Sequence, residues 1–184
     1  MAWTGIKEFV EALDQKRELQ RISEFVNPIL EITEFADRVV KNNGPALLFE
    51  NNDSEFPVLI NAFASEERMA IACSRKTFVE IPDAIEKLLE NILLPRQNFM
   101  EKIAGAPGLI RLANLLPSKQ RCRGRCQNII LRNPDLGILP VLKCWPHDGG
   151  RYITLPIVHT CHPETRMTNA GMYRMQILDS KTTA

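Results

Sequence analysis

The residues of this chain best suited to chemistry lie in the run Thr168-Asn169-Ala170-Gly171-Met172-Tyr173-Arg174-Met175-Gln176. An asparagine carbonyl oxygen is a hard, neutral ligand, suited to Mg²⁺, Mn²⁺ or K⁺ rather than to soft metals. Alanine and glycine beside it let a ligand approach the backbone closely. Arg174 offers a planar fork for a phosphate. Strand alternation puts Met172, Arg174 and Gln176 on one face, and Tyr173, Met175 and Ile177 on the other. It also parts Asn169 from Arg174, so a bulge or irregular turn at Ala170-Gly171 is expected to bring both to one ligand. By spacing alone the run is weak evidence, because Asn-x-Gly ahead of a strand is usually just a turn.

Soft ligands form a rival constellation. Cys122-x₃-Cys126, Cys144-x₂-His147 and His159-x-Cys161-His162 have spacings that a zinc-binding module could use. Against it, the first pair sits in an arginine-rich loop and the other groups fall within predicted strands. Cysteine is also commonly a small buried hydrophobe. The loop itself, residues 119–125, holds four cations in seven residues. Without interleaved aromatics it reads as a solvated linker, and no nucleic-acid partner is expected. Glu34, Asp135, Asp148 and Glu164 each read as surface or capping carboxylates, so no catalytic acid is assigned.

The framework around these groups is read from pattern. The chain has 184 residues, 45% apolar and 24% charged, with a net charge of +1. That composition supplies a core and gives no global attraction to nucleic acid or an anionic membrane. Ile6, Phe9, Val10 and Leu13 follow helical spacing from near Thr4. Leu19–Ile22 alternates as a brief strand. Asn27-Pro28 predicts a helix start, with Asn27 as cap and Pro28 in the first turn. Asn43-Gly44-Pro45 stops that helix. Ala46–Phe49 and Pro57–Ile60 read as strands around the polar turn 51–54. Ser65 caps a helix running through Cys73, and Pro82 opens another carrying Ile85, Leu88, Leu89, Ile92 and Leu93. Pro95, Pro107 and Pro117 divide the next stretch into short helices. Beyond Ser118 the texture turns to strands at Gln127–Leu131, Ile138–Leu142, Tyr152–His159 and Met172–Leu178. We place a domain boundary there, between residues 1–118 and 119–184. The fold class is α+β, with a mixed helix and sheet domain first.

Five cysteines, an odd number in a chain of this size, argue against a disulfide framework and for a reducing compartment. Lys7, Glu8, Glu11 and Asp14 interrupt any secretory leader. No apolar run approaches the ~20 residues of a membrane span. A cytoplasmic location is expected, with peripheral membrane association left open.

Several segments together resemble the UbiD family of prenylated-flavin-dependent decarboxylases. They are Glu18-Leu19-Gln20-Arg21-Ile22, Glu31-Ile32-Thr33-Glu34, Gly44–Asn51, Ile138-Leu139-Pro140, Cys144-Trp145-Pro146-His147-Asp148 and Asn169–Arg174. Each is a short string, but they come in the family's order and cover nearly the whole chain. The branch most similar acts on quinone precursors such as 3-polyprenyl-4-hydroxybenzoate, which implies a place in ubiquinone biosynthesis. The resemblance implies that residues 119–184 are the opening strands of a split β-barrel that binds flavin. It implies Asn169 as ligand of a divalent cation, Mn²⁺ or Mg²⁺ with K⁺ as the alternative, bridging to the phosphate of prenylated FMN. It implies Met172, Tyr173 and Arg174 as lining of the cofactor cleft. Trp145-Pro146 and Tyr152-Ile153-Thr154 match positions near the cofactor domain, and Trp145 reads equally as a core aromatic beside a turn.

The family's second metal ligand and its proton donor have no counterpart in these residues. Met172–Leu178 is read as a full strand, Asp179-Ser180-Lys181 as a turn, and Thr182-Thr183-Ala184 as the start of a second strand that stops short. The expectation is therefore the front portion of a carboxy-lyase, inactive alone, whose complete form takes a small carboxylic acid substrate and assembles as a homo-oligomer. A non-catalytic assembly module and the zinc module stand as alternatives.

Overall fold

The structure is a computed structural model that describes residues 3–93 and 122–184. The short helices predicted between Pro95 and Pro117, the boundary near Ser118 and the start of the basic segment lie outside the described residues.

The sheet at the centre of the first part explains most of what surrounds it. Strand β2 (Ala46–Phe49) is buried along its whole length. It pairs in parallel with β1 (Leu19–Ile22), Leu19 opposite Ala46 and Ile22 opposite Phe49, and antiparallel with β3 (Val58–Ile60). A parallel pair needs a crossover, supplied here by helix α2 (Glu31–Lys41). Because both faces of β2 are covered, its sequence is continuously apolar rather than alternating. Leu47 and Phe49 face a cluster with Val26, Ile32 of α2 and Val58. Ala46 joins Phe9 and Leu13 of helix α1 (Ile6–Gln15). The turn after β2 is tied from inside, since the buried Asn52 amide donates to the carbonyls of Phe49 and Phe56 at 3.2 and 3.0 Å.

Helix α3 (Glu66–Ala72) starts as predicted, with Ser65 Oγ accepting from the Arg68 backbone N–H at 3.1 Å. Helix α4 spans Glu80–Leu93 and so begins two residues before Pro82. Helix α2 begins three residues later than Asn27-Pro28 predicts. Residues 28–30 are engaged elsewhere: Ile29 bridges in parallel to Lys143, and the Leu30 N–H donates to the Lys143 carbonyl at 3.0 Å. Leu30 takes a φ of 71°, an unusual conformation for a branched residue, where the chain turns from that pairing into the helix. The tertiary pairing overrides the local start signal.

The second part is strand-rich, with its strands shorter than predicted. No strand forms over Gln127–Leu131: a 3₁₀ turn occupies Arg125–Gln127, and Ile129, Ile130 and Leu131 are exposed. Ile138–Leu142 is likewise no strand. A 3₁₀ turn covers Leu136–Ile138, with the Asp135 carboxylate accepting from the Gly137 N–H at 2.7 Å, and pairing appears only as isolated bridges at Leu142 and Lys143. Pro140, lacking an N–H, suits that interruption. Tyr152–His159 divides into β4 (Tyr152–Ile153) and β5 (Ile157–Cys161), with Pro156 in the gap. Met172–Leu178 also divides, into the end of β6 (Thr168–Met172) and β7 (Met175–Gln176). The physical reason is a change of partner: β6 pairs with β5, while β7 pairs with β4. After the Asp179 turn, Thr183 bridges back to Ile177.

Leu142 joins the buried cluster of β2 and α2, so the second part shares its core with the first. The architecture is thus mixed α and β, and among the described residues the small sheets do not close into a barrel. No helix among them is long and apolar enough to cross a membrane.

Candidate functional site

Asn169 sits inside β6, opposite Thr160 of β5. Alternation puts Asn169 and Gly171 on one face of the hairpin and Met172 on the other, where it lies opposite Ile157 and is exposed. The pairing is regular through Ala170 and Gly171, which oppose His159 and Val158. The expected bulge at Ala170-Gly171 is absent; the chain breaks instead at Tyr173-Arg174, where it changes partner strand.

Tyr173 folds back over the Asn169 face. A Cβ on Gly171 would stand 2.5 Å from the ring's Cε2, so only glycine leaves room for the ring there. The Asn169 amide nitrogen donates to the Tyr173 hydroxyl at 3.3 Å. With its nitrogen so used, the amide turns its carbonyl oxygen, the hard donor, away from the tyrosine.

Arg174 is held by other partners. Its Nη1 and Nη2 donate to Asp148 Oδ1 and Oδ2 at 3.3 and 2.7 Å, and its guanidinium carbon lies 4.0 Å from the centre of the Tyr152 ring. Asp148 Oδ2 also accepts from the Trp145 N–H at 3.1 Å. The guanidinium holds the Asp148 carboxyl below the usual carboxylate range, and Asp148 in turn raises Arg174 above its ordinary value. The site therefore consists of two adjoining pairs, Asn169 with Tyr173 and Arg174 with Asp148, rather than one cradle around a shared ligand.

Asp148 and Tyr152 both fall in segments that carry the resemblance, but their contact with Arg174 was not foreseen from the sequence. Asp148 does cap its turn, as expected of a bland carboxylate, but it also neutralises Arg174. The only local signal was an acid followed by Gly149-Gly150 at the head of a strand. Trp145 is exposed, which overturns the core-aromatic alternative for it. It lines a groove of about 1320 Å³ between α2, β1 and the 144–146 turn, together with Phe25, Phe35 and Val39. None of Asn169, Met172, Tyr173 or Arg174 lines that groove.

The donor set can be tested against a metal and a flavin. Asn169 presents one neutral oxygen, while a hard divalent cation takes about six oxygen ligands. Among the described residues no three His, Cys, Asp or Glu side chains gather to hold a metal. The set supplies one hard oxygen, from Asn169, and one guanidinium, from Arg174.

Two family models match the chain. One is described as the 3-octaprenyl-4-hydroxybenzoate carboxy-lyase N-terminal domain and covers residues 10–90. The other, the Rift-related domain of the same carboxy-lyase, covers residues 118–184. A protein from Archaeoglobus fulgidus is 42% identical over all 184 residues, which correspond to 37% of its length. Vanillic acid decarboxylase from Sedimentibacter hydroxybenzoicus, in closed form, superposes with a TM-score of 0.71 at 25% identity, covering 98% of this chain and 36% of that one. An evolved dimeric form of the UbiD-class enzyme HmfF from Pelotomaculum thermopropionicum, in complex with prFMN, gives 0.65 at 22% identity over 97% of this chain and 37% of that one. The chain thus spans little more than a third of the length of these relatives.

Proposed function

This chain belongs to the UbiD family, and we propose that it serves as the N-terminal part of a carboxy-lyase. The enzyme decarboxylates an aromatic or α,β-unsaturated acid without net oxidation. The observation that carries this reading is the occurrence of both domain matches in order, with Asn169–Met172 on a strand pair of the second and Tyr173-Arg174 directly after it. The family description supports a quinone precursor such as 3-polyprenyl-4-hydroxybenzoate as substrate. The start of the second match at residue 118 supports a division of the chain into residues 1–118 and 119–184.

Asn169 offers its carbonyl oxygen to a divalent cation, Mn²⁺ or Mg²⁺. Tyr173 orients that amide, and Met172 and Tyr173 give the cleft an apolar and aromatic wall. Arg174 directs N–H donors at the cofactor phosphate. Prenylated FMN, when bound, supplies an electron sink for the electrons that CO₂ leaves behind. No side chain here is assigned the proton-donating role. One amide oxygen does not hold a cation alone, so the isolated chain binds metal and flavin weakly and lacks decarboxylase activity. Assembly as a homo-oligomer in the cytoplasm completes the reading.

A chimera tests it. This chain replaces the matching 184 residues of the Archaeoglobus fulgidus relative, and the protein is purified from cells that make prenylated FMN. Flavin absorbance and about one divalent metal per chain are expected by the coordination argument, with loss of the metal in Asn169→Ala. CO₂ release from a panel of aromatic and unsaturated acids then reads the activity. A folded chimera that holds neither flavin nor metal sinks the proposal.

A further inference from the structure

The loop that joins β5 to β6 is built around one residue, His162. Its backbone closes the loop from both sides. The His162 N–H donates to the Met167 carbonyl at 2.8 Å, and the His162 carbonyl accepts from the Arg166 N–H at 3.0 Å. Pro163 follows, with no N–H to give and a φ suited to the first corner of a turn. The next two N–H groups, those of Glu164 and Thr165, lie outside the ladder. Both donate to His162 Nδ1, each at 3.2 Å. An aspartate or asparagine oxygen commonly holds a turn in this way. Here a ring nitrogen does so.

That choice carries a chemical condition. Nδ1 accepts only while it keeps a lone pair, so the ring must be neutral, with its proton on Nε2. Protonation puts an N–H where two N–H groups already converge. Attraction then turns to repulsion, and both donors lose their partner. Imidazole is the side chain that ordinarily changes charge between about pH 5 and 8.

Two features make the loop sensitive to that loss. Arg166 has a φ of 59°, in the left-handed region that glycine enters freely and arginine does not. A strained residue stays so only while its surroundings enforce it. Every residue from 161 to 170 is exposed, so no buried side chain holds the loop shut, and a two-stranded hairpin alone is marginal. The charged groups around the ring are those of the loop itself, Glu164 and Arg166. The Cys161 thiol lies beside them, 3.7 Å from the His162 carbonyl oxygen. Counting from the loop, Cys161 opposite Thr168 is the first rung, and Thr160 opposite Asn169 is the second.

We propose that His162 is a pH-sensitive clasp. Its neutral ring closes the β5–β6 hairpin, and its protonation opens the loop and frays the rungs as far as Asn169. This holds whatever Asn169 binds. The opening is local, so it moves the urea midpoint of the whole chain little.

The test follows the ¹³C,¹⁵N-labelled chain by NMR from about pH 8 to about pH 5. The His162 ring signals report its own charge. As the ring charges, the exchange protection of the Glu164 and Thr165 amides, corrected for the intrinsic effect of pH, falls about tenfold, as expected when hydrogen bonds of ordinary strength are lost. Nuclear Overhauser contacts between Cys161 and Thr168 weaken with the same midpoint. His162→Asp, whose carboxylate accepts without gaining a proton in this range, keeps both features down to about pH 5. His162→Ala has the low protection at every pH. Protection that stays constant while the His162 ring titrates overturns the proposal. So does a pH response in His162→Asp equal to that of the wild type, or full wild-type protection in His162→Ala at about pH 8.

Discussion

Arg68 of α3 is buried, and its Nη1 meets Glu18 Oε2 at 2.7 Å, joining residues fifty positions apart in sequence at the head of β1. The two ends of this pair differ in exposure. The Arg68 side chain is 2% exposed and that of Glu18 23%. The Arg68 Nε finds no partner among the described residues. Removing the carboxylate therefore strands a cation in the core, whereas removing the cation leaves a carboxylate that can reach water. Glu18→Ala is expected to cost about 3 kcal/mol, and Arg68→Met, which keeps the bulk, about 1 kcal/mol or less. Urea unfolding of both variants measures the order, and equal or reversed costs would show that the stranded charge is not the cause.

Leu142 is the part of the second segment that enters the buried cluster of Val26, Ile32, Leu47, Phe49 and Val58. Beside it, Lys143 pairs with Ile29 and accepts from Leu30. Truncation to alanine leaves a cavity that a segment bridged to Tyr152 on one side and to Ile29 on the other fills poorly. Leu142→Ala is expected to lose about 2–3 kcal/mol. The second segment should also loosen first, because its strand pairs are otherwise largely exposed. Limited proteolysis reads this as cleavage beyond residue 142 while the β1–β2–β3 sheet stays intact; cleavage spread evenly along the chain would contradict it.

Gly171→Ala isolates the contact between Tyr173 and the hairpin. Gly171 does not have a positive φ, so the substitution strains no backbone. The whole effect comes from the Tyr173 ring, whose Cε2, Cζ and hydroxyl lie 2.5, 2.9 and 2.9 Å from the new Cβ. The ring is half-exposed at the end of a flexible side chain, so it swings away rather than forcing the strand apart. Stability is expected to change by less than about 1 kcal/mol, in the range of surface substitutions and small repacking. The hydrogen bond from Asn169 is lost. Nuclear Overhauser contacts between the Tyr173 ring and residue 171 should vanish; a ring that stays in place with a large loss of stability would refute the geometry.

The sequence made some of this structure readable and concealed the rest for identifiable reasons. Periodicity and punctuation suffice where an element answers only to its neighbours in sequence. Helix α1, the strands β1 and β2, and the Ser65 cap were therefore legible. They fail where a distant segment competes. Asn27-Pro28 is a good start signal, yet Lys143 holds residues 29 and 30 and delays the helix. The same holds at Tyr173-Arg174, where an unbroken strand pattern hides a change of partner from β5 to β4. In the candidate site, Asn169, Met172, Tyr173 and Arg174 could be named from a resemblance. The contact of Asp148 with Arg174 could not, because a charge pair between a turn and a strand break has no period and no fixed spacing.

Acid should weaken the second segment through two aspartates. Asp148 is held below the ordinary aspartate value of 3.8, first by its bonds to Arg174. Asp179 is held below it too, first by the Lys181 N–H and then by Thr182; its Oδ1 accepts both backbone N–H groups at 2.8 Å. A carboxyl with a folded pKa below its unfolded one adds stability that is present above the unfolded value. That contribution is lost as pH falls through the folded value. The urea midpoint should therefore be flat from pH 7 to about 5 and fall below about 4. Asp148→Asn should lower the neutral plateau while leaving the acid end nearly unchanged, so that its profile is shallower than that of the wild type. The shift on Arg174 acts only above the alkaline range in which proteins are studied, so it does not shape this curve. Parallel profiles for the wild type and Asp148→Asn would show that the Asp148–Arg174 bond contributes nothing to the acid limb.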